Sequence, residues 1–266
     1  MKSLAIQIDR QNSAAAIDLY LDLLKASLTN TLFVSEPDAD DEAELSYVSN
    51  FINHYIKGVA LSMLPLARFE NLRSCIVDVL EQEVAGDLIE TGVWRGGATI
   101  FMRGVLKAFN VVDRTVWVAD SFEGLPEPDA ERFPREAKAH GGKVMTRVYN
   151  QFAVSIGDVE RNFRAYGLLD GQVRFLKGWF KDTLPAAPIT TLSIMRLDGD
   201  YYESTWDALI NLYDKLSLGG YVIVDDYGEG YWTYCRRAVD EFRSQRGIHD
   251  PMIRVDSKCY YWQRTR

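Results

Sequence analysis

Apolar residues recur at helical spacing in the first third of the chain. One set lies on a single helix face and consists of Ile17, Leu21, Leu24 and Leu28. It predicts a helix with Ser13 as its N-cap that ends near Asn30. A second helix is predicted with Pro65 in its first turn. Its apolar face consists of Leu66, Phe69, Leu72, Ile76, Val79 and Leu80. Between these helices, the acidic run Glu36–Glu44 interrupts the pattern and predicts a solvated loop.

From Asp87 onward, short apolar runs alternate with helical stretches. The predicted strands are Asp87–Glu90, Val116–Asp120, Val173–Leu176, Leu192–Asp198 and Tyr221–Asp225. The predicted helices between and after them are Ala98–Phe109, Ile156–Tyr166, Glu203–Leu216 and Tyr234–Gln245. A terminal strand pair is predicted at Met252–Val255 and Cys259–Trp262. This alternation indicates an α/β fold with a doubly wound, mostly parallel sheet. We expect one domain over residues 1–266, in which a helical N-terminal extension (1–85) precedes a Rossmann-like core (86–266).

Composition and charge narrow the class of protein. The chain has 266 residues, of which 47% are apolar and 26% charged, which excludes a disordered or collagen-like protein. Its net charge of -8 gives it no excess of positive side chains with which to bind a polyanion, so neither nucleic acid nor a membrane is expected as a partner. The three cysteines are far apart, and neither a signal peptide nor a membrane-spanning run is apparent. We therefore expect a cytoplasmic protein.

Ligands of doubly wound sheets bind outside the carboxyl ends of the strands, so the residues there are the first candidates for chemistry. The first predicted strand ends in Glu90-Thr91-Gly92, within a glycine-rich turn that lacks the GxGxxG spacing of a pyrophosphate site. The second ends in Asp120, which can accept hydrogen bonds from a ribose or cap the next turn. After the third strand, Gly178 and Trp179 begin a segment whose aromatic side chains either flank an adenine or belong to the core.

The last two parallel strands end in paired carboxylates. Asp198 and Asp200 follow one strand, and Asp225 and Asp226 follow the other. Neighbouring parallel strands would bring all four together, and such like charges repel unless a cation lies among them. Oxygen ligands of this kind favour Mg²⁺. The alternative is that these residues only form turns and helix N-caps.

Several long motifs resemble the macrocin O-methyltransferase family, which modifies sugars in macrolide, aminocoumarin and related natural-product pathways. The motifs are ETGVWRGGATIFMRG, WVADSFEGLPEPD, NFRAYGLLDGQVRFLKGWFKDTLP, MRLDGDYYEST and GGYVIVDDY. The resemblance covers nearly the whole chain. It implies a class I methyltransferase fold with a seven-stranded sheet, and Mg²⁺-dependent transfer of a methyl group from S-adenosylmethionine to a sugar hydroxyl of a glycosylated small molecule. It also implies a homo-oligomer.

The resemblance also implies roles for individual residues. The cofactor-binding residues would be Met63, Glu90, Thr91, Gly92, Asp120, Ser121 and Phe122, joined by Gly178 and Trp179 after the third strand. The metal ligands would be Asp198, Asp225 and Asp226, with Asp200 as the general base. Two departures from relatives are apparent. Pro65 stands where relatives carry a glycine, and the predicted lid near residues 127–150 differs in length and residues, so a relative's acceptor cannot be transferred to this chain.

Other interpretations remain at this stage. A catechol-type O-methyltransferase also combines this fold with Mg²⁺ and paired acidic residues. A non-catalytic S-adenosylmethionine-binding module would keep the fold without the reaction, and a nicotinamide dehydrogenase would need the missing GxGxxG turn. His54, His140 and His249 each stand alone in the sequence and are rival bases to Asp200, while Tyr149 and Trp232 are candidate acceptor contacts.

Overall fold

A computed structural model describes residues 10–33, 55, 58–142 and 149–266. The predicted acidic loop at Glu36–Glu44 lies outside this part of the chain. Helix α1 (Arg10–Leu28) begins before Ser13, so Ser13 lies within its first turn and is not its N-cap. Arg10 and Gln11 are good helix formers, which lets the helix extend past this local capping signal. Helix α2 (Leu66–Glu81) begins directly after Pro65, whose backbone is extended.

The sheet has the predicted strands with small shifts at their ends. They are β1 (Asp87–Thr91), β2 (Val116–Asp120), β3 (Val173–Lys177), β4 (Leu192–Leu197), β5 (Leu216–Val224), β6 (Ile253–Arg254) and β7 (Tyr260–Gln263). Their order is β3-β2-β1-β4-β5-β7-β6. The first five strands are parallel, and β7 pairs antiparallel with both β5 and β6. The doubly wound, mostly parallel seven-stranded sheet is therefore confirmed.

In the described part of the chain, helices follow the strands at the four predicted places, and two short helices, Pro134–His140 and Phe180–Thr183, were not predicted. The helices are α3 (Gly97–Ala108), α4 (Pro134–His140), α5 (Ile156–Ala165), α6 (Phe180–Thr183), α7 (Tyr202–Leu212) and α8 (Thr233–Arg246). The predicted helix to Leu216 is too long, because a 3₁₀ turn follows α7 and β5 already begins at Leu216. None of the helices in the described part of the chain is both long and apolar enough to cross a membrane.

The two faces of the sheet bury separate apolar clusters. On one face, α1, α2 and α3 contribute side chains such as Leu28, Phe69 and Phe101, the last two of which meet edge to face at 5.1 Å. On the other face, Leu209 of α7 and Phe242 of α8 pack with Trp262 of β7. Because helices cover both faces of the sheet, we expect ligands to bind at the strand ends, where the connecting loops reach solvent.

Candidate active site

A cleft of about 780 Å³ opens at the carboxyl ends of the parallel strands. The predicted site residues that line it are Gly92, Asp120, Ser121, Gly178, Trp179 and Asp198. Its other wall is formed by the start of α7 and by residues 124–127 after β2. A second cavity, of about 630 Å³, lies at the opposite strand ends around Asp87 and Arg114 and is lined by none of the predicted site residues. The strand-end cleft is therefore the candidate active site.

The turn after β1 has a glycine because another backbone passes against it. Gly92 has a φ of 88°, and a Cβ atom there would lie 1.7 Å from the carbonyl oxygen of Asp198. The backbone N–H groups of Gly92 and Asp198 donate to the carbonyls of Ala119 and Thr91, each at 2.9 Å. The ends of β1, β2 and β4 are thus joined. Only a glycine permits this approach at positive φ.

Asp120 is held at the end of β2 by the backbone around it. One carboxylate oxygen accepts from the N–H of Val93 and the other from the N–H of Phe122, both at 2.7 Å. Burial raises the pKa of Asp120, and these backbone hydrogen bonds oppose the rise. The side chain of Phe122 packs in the core, with its ring 6.1 Å from that of Phe175. Asp120 therefore lines the cleft with its carboxylate held in one orientation, whereas the side chain of Phe122 lies in the core.

A buried arginine gathers three of the strand-end carboxylates. Arg196 on β4 is only 1% exposed and bonds Glu90, Asp198 at 2.9 Å and Asp225 at 2.5 Å. Burial raises the pKa of Glu90 to about 8, with the Arg196 guanidinium opposing the rise. The second oxygen of Glu90 and the hydroxyl of Thr91 are buried and have no hydrogen-bond partner among the described residues. Neither residue lines the cleft, so a contact from these atoms to a ligand stays a prediction.

Arg68 in the first turn of α2 extends this ion-pair chain to the far strands. It donates at 2.6 Å to Asp225 and at 2.6 Å to Asp256, in the turn before β7. Both carboxylate oxygens of Asp225 therefore accept from guanidinium groups, one from Arg68 and one from Arg196. Sequence analysis missed both arginines. The detectable signal was Arg196 itself, a charge within the apolar run LSIMRL, since a buried charge is almost always paired.

The carboxylates that the structure brings closest together are Asp198, Asp200 and Asp226. One oxygen from each lies within 4.8 Å of the others. The N–H of Asp200, at a φ of 61°, donates to Asp226 at 3.0 Å. Burial raises the pKa of Asp200 and Asp226 well above the usual range, and the neighbouring carboxylates raise both further. A cluster of hard oxygen ligands whose charges repel one another fits a divalent cation such as Mg²⁺.

Part of the predicted lid packs against the start of α7. Glu136 of α4 accepts a hydrogen bond at 2.9 Å from the backbone N–H of Tyr202, and the ring of Phe133 stacks on that of Tyr202 at 4.8 Å. His140 bonds the Tyr201 hydroxyl at 2.9 Å and stacks on Tyr149. This helix therefore lies beside the residues that follow Asp200. Residues 143–148 of the predicted lid, and His54, fall outside the described residues.

The segment before α2 covers the start of α3. The backbone N–H of Gly97 donates to the Leu61 carbonyl at 3.0 Å, and the Arg95 guanidinium donates to the carbonyls of Gly58 and Ala60. Met63 belongs to this segment and is partly buried, but it does not line the cleft. A cofactor contact from Met63 stays a prediction.

Comparison with known proteins finds O-methyltransferases among the relatives of this chain. Residues 56–264 match the family described as Macrocin-O-methyltransferase (TylF). The demethyldecarbamoylnovobiocin O-methyltransferase of Streptomyces niveus is 49% identical over 258 residues, which cover 93% of this chain and 94% of that protein. The mycinamicin III 3''-O-methyltransferase of Micromonospora griseorubida is 43% identical, covering 95% of this chain and 98% of that protein.

Solved structures agree with these relatives. The structure of the O-methyltransferase NovP is 50% identical and covers 94% of this chain and 100% of that chain, with a TM-score of 0.81. The calicheamicin methyltransferase CalS11 is only 18% identical, covers 97% of this chain and 94% of that chain, and has a TM-score of 0.59, so it shows likeness of fold alone.

Proposed function

Because this chain belongs to the macrocin O-methyltransferase family and is an O-methyltransferase, we propose that it methylates a sugar hydroxyl of a glycosylated natural product of macrolide or aminocoumarin type. The methyl donor is S-adenosylmethionine and the metal is Mg²⁺. The observation that carries the proposal is that Asp198 lines the strand-end cleft and lies within 4.8 Å of Asp200 and Asp226, measured between carboxylate oxygens. The names of the two relatives give demethyldecarbamoylnovobiocin and mycinamicin III as the compounds they methylate, which supports an acceptor of this class.

The cofactor has fitting partners along the cleft. Asp120 is oriented to accept from the ribose hydroxyls, and Gly178 and Trp179 stand where the base would lie. The unpartnered oxygen of Glu90 and the hydroxyl of Thr91 suit the polar amino-acid end of the donor. S-adenosylmethionine, when bound, supplies a methyl group on a sulfonium, which is already activated for displacement.

The metal would be held by Asp198 and Asp226. A metal contact from Asp225 stays a prediction, because both of its carboxylate oxygens accept from guanidinium groups. Asp225 is held in place by Arg68 and Arg196. Mg²⁺, when bound, stabilises negative charge on a hydroxyl oxygen and so makes a sugar hydroxyl a better nucleophile. The two arginines fix the orientation of the carboxylates that they bond, Asp198 and Asp225.

Asp200 is the proposed general base. Its carboxylate lies within 4.8 Å of those of Asp198 and Asp226, which would hold the metal, so it would stand close to an acceptor hydroxyl bound there. Asp200 would take up the proton of the acceptor hydroxyl, and the donor held along the cleft would supply the methyl group to that oxygen. The cleft wall aligns donor and acceptor, and this alignment accounts for much of the rate.

A panel of deoxysugar glycosides and catechols, incubated with S-adenosylmethionine and Mg²⁺, tests the function. We expect methylated glycoside only, loss of product in EDTA, and a rate roughly 10²-fold lower or more in Asp200→Asn with S-adenosylhomocysteine binding retained. Asp214→Asn, an exposed carboxylate paired with Arg246, is the control and should be unaffected.

Different outcomes separate the alternatives. Full activity in EDTA would contradict the proposed dependence on Mg²⁺. A near wild-type rate in Asp200→Asn would show that another residue is the general base. Preferential catechol methylation would favour the catechol-type enzyme, and donor binding without any turnover would favour a non-catalytic module. Self-association also stays a prediction, which light scattering of the purified protein tests directly.

A further inference from the structure

The strand-end cleft continues past the proposed ribose position to a second wall. β3 lies next to β2 at the outside of the sheet, and the segment Gly178–Lys181 follows it. One face of α7 lines the cleft opposite this segment with Glu203, Trp206 and Asp207. If Asp120 takes the ribose, the attached base can extend over the end of β3, because β3 is the strand next to β2 and the residues after it line the same cleft. The base would then lie between residues 178–181 and α7.

Two acidic side chains of α7 face this region, and they differ in their partners. Glu203 forms an ion pair with Arg132 at 2.8 Å, across the mouth of the cleft. Asp207 stands one helical turn further along the same face. Asn211 donates to the backbone carbonyl of Asp207, not to its side chain. Among the described residues, no donor reaches the Asp207 carboxylate, so this acceptor is available to a ligand.

The surroundings of Asp207 suit a neutral hydrogen-bond donor better than a second cation. Lys181 lies close enough to lower the pKa of Asp207, against burial and the carboxylates of Glu203 and Asp182, which raise it to about 6. The carboxylate is therefore mostly ionised above pH 7 and partly balanced by Lys181. The aromatic side chains of Trp179 and Trp206 also line the cleft, and they would cover the faces of a planar ring.

We propose that the Asp207 carboxylate accepts a hydrogen bond from the exocyclic amino group of the cofactor's adenine and thereby selects adenine over hypoxanthine. The inference rests on the proposed function, since it requires the nucleoside in this cleft. Adenine presents an amino donor at its 6-position, whereas hypoxanthine presents a carbonyl acceptor. A carbonyl placed against a carboxylate loses the hydrogen bond and adds repulsion. A site that satisfies a buried donor rejects an analogue lacking it.

The experiment compares binding of S-adenosylhomocysteine and S-inosylhomocysteine by calorimetry at pH 8, where Asp207 is ionised. We expect the wild-type protein to prefer the adenine compound by roughly tenfold or more, as for a hydrogen bond to a charged group. In Asp207→Asn, the amide can donate to the hypoxanthine carbonyl, so the preference should fall to about threefold or less. Glu203→Gln removes the same charge from the same cleft wall and is the matched control.

Each outcome bears on a different statement. If Asp207→Asn keeps the full adenine preference, or Glu203→Gln loses as much of it, the inference is wrong while the methyltransferase function stands. If the wild-type protein binds neither compound, both the proposed function and the inference are contradicted. Thermal melting of the two variants shows that they are folded, which we expect because both substitutions keep side-chain size.

Discussion

Arg196 is the residue on which the ordering of the site depends. Its guanidinium is fully enclosed and bonds carboxylates from the ends of β1, β4 and β5, namely Glu90, Asp198 and Asp225. Isolated buried charges are expensive, and removing one partner of a buried pair leaves the other without compensation. Here one cation serves three anions, so its removal affects more than a single pair would.

We predict that Arg196→Met lowers the free energy of unfolding by about 3–5 kcal/mol at pH 7.5. The matched control is Arg103→Met, since Arg103 is also buried but, among the described residues, forms its ion pair with Asp170 alone, which is more than one-third exposed. Its loss should be smaller by at least about 1 kcal/mol, because the solvated carboxylate left behind costs less. Urea denaturation followed by tryptophan fluorescence measures both. If the two variants lose equal free energies of unfolding, Arg196 contributes no more to stability than an arginine with one carboxylate partner.

At the scale of elements, the contact between α4 and α7 joins the predicted lid to the acidic strand end. Glu136 is 2% exposed and accepts from the N–H of Tyr202. Burial raises the pKa of Glu136 to about 7, helped by Glu203 and opposed by the Tyr202 hydrogen bond. The same carboxyl in an unfolded chain titrates near pH 4.3. The folded protein therefore holds the proton at Glu136 more tightly than the unfolded chain does.

This difference predicts a stability change with pH. Between about pH 4.3 and 7 the folded state binds more protons at this position, so Glu136 lowers the free energy of unfolding as pH rises. Glu136→Gln keeps an acceptor for Tyr202 and removes the titration. Relative to wild type, the variant should gain about 1–2 kcal/mol between pH 5 and pH 8 in urea denaturation. Glu131→Gln, on the exposed surface nearby, should follow the wild-type curve. A constant difference between Glu136→Gln and wild type at all pH values would contradict this prediction.

At the scale of the whole molecule, the sheet collects charges from distant parts of the chain at one edge. Asp198 follows β4 and Asp226 follows β5, while Arg68 reaches the same edge from α2. Because Asp198 and Asp226 repel each other, a divalent cation that binds them should favour the folded state.

We predict that MgCl₂ raises the melting temperature and that EDTA reverses the rise. At a concentration about 100-fold above the dissociation constant, the gain is about 2.7 kcal/mol, or at least about 3 °C for a protein of this size. Asp226→Asn should lose most of this shift. NaCl at matched ionic strength controls for general screening and should produce little change. A melting temperature indifferent to Mg²⁺ in the wild-type protein would count against the metal site.

Much of this fold was predictable because its signals are local. Apolar runs such as that of β2 (Val116–Asp120) have the same bounds in the prediction and in the structure. Errors lie at element ends, as at Ser13 and at the start of β5, where neighbouring turns and sheet pairing override local preference. The short helices α4 and α6 were not predicted at all. The sequence also indicated which strand ends carry acidic residues, because a change from apolar to acidic residues is visible along the chain.

The sequence by itself determined the fold class, the family and the set of polar residues at the strand ends. Only the tertiary structure decided which of these residues meet. It brings Asp200 together with Asp198 and Asp226 and encloses both oxygens of Asp225 between Arg68 and Arg196. The physical reason is that side-chain partners depend on strand order and on the approach of one backbone to another, as where Asp198 passes against Gly92. Such approaches join positions about a hundred residues apart, which periodicity along the chain does not encode.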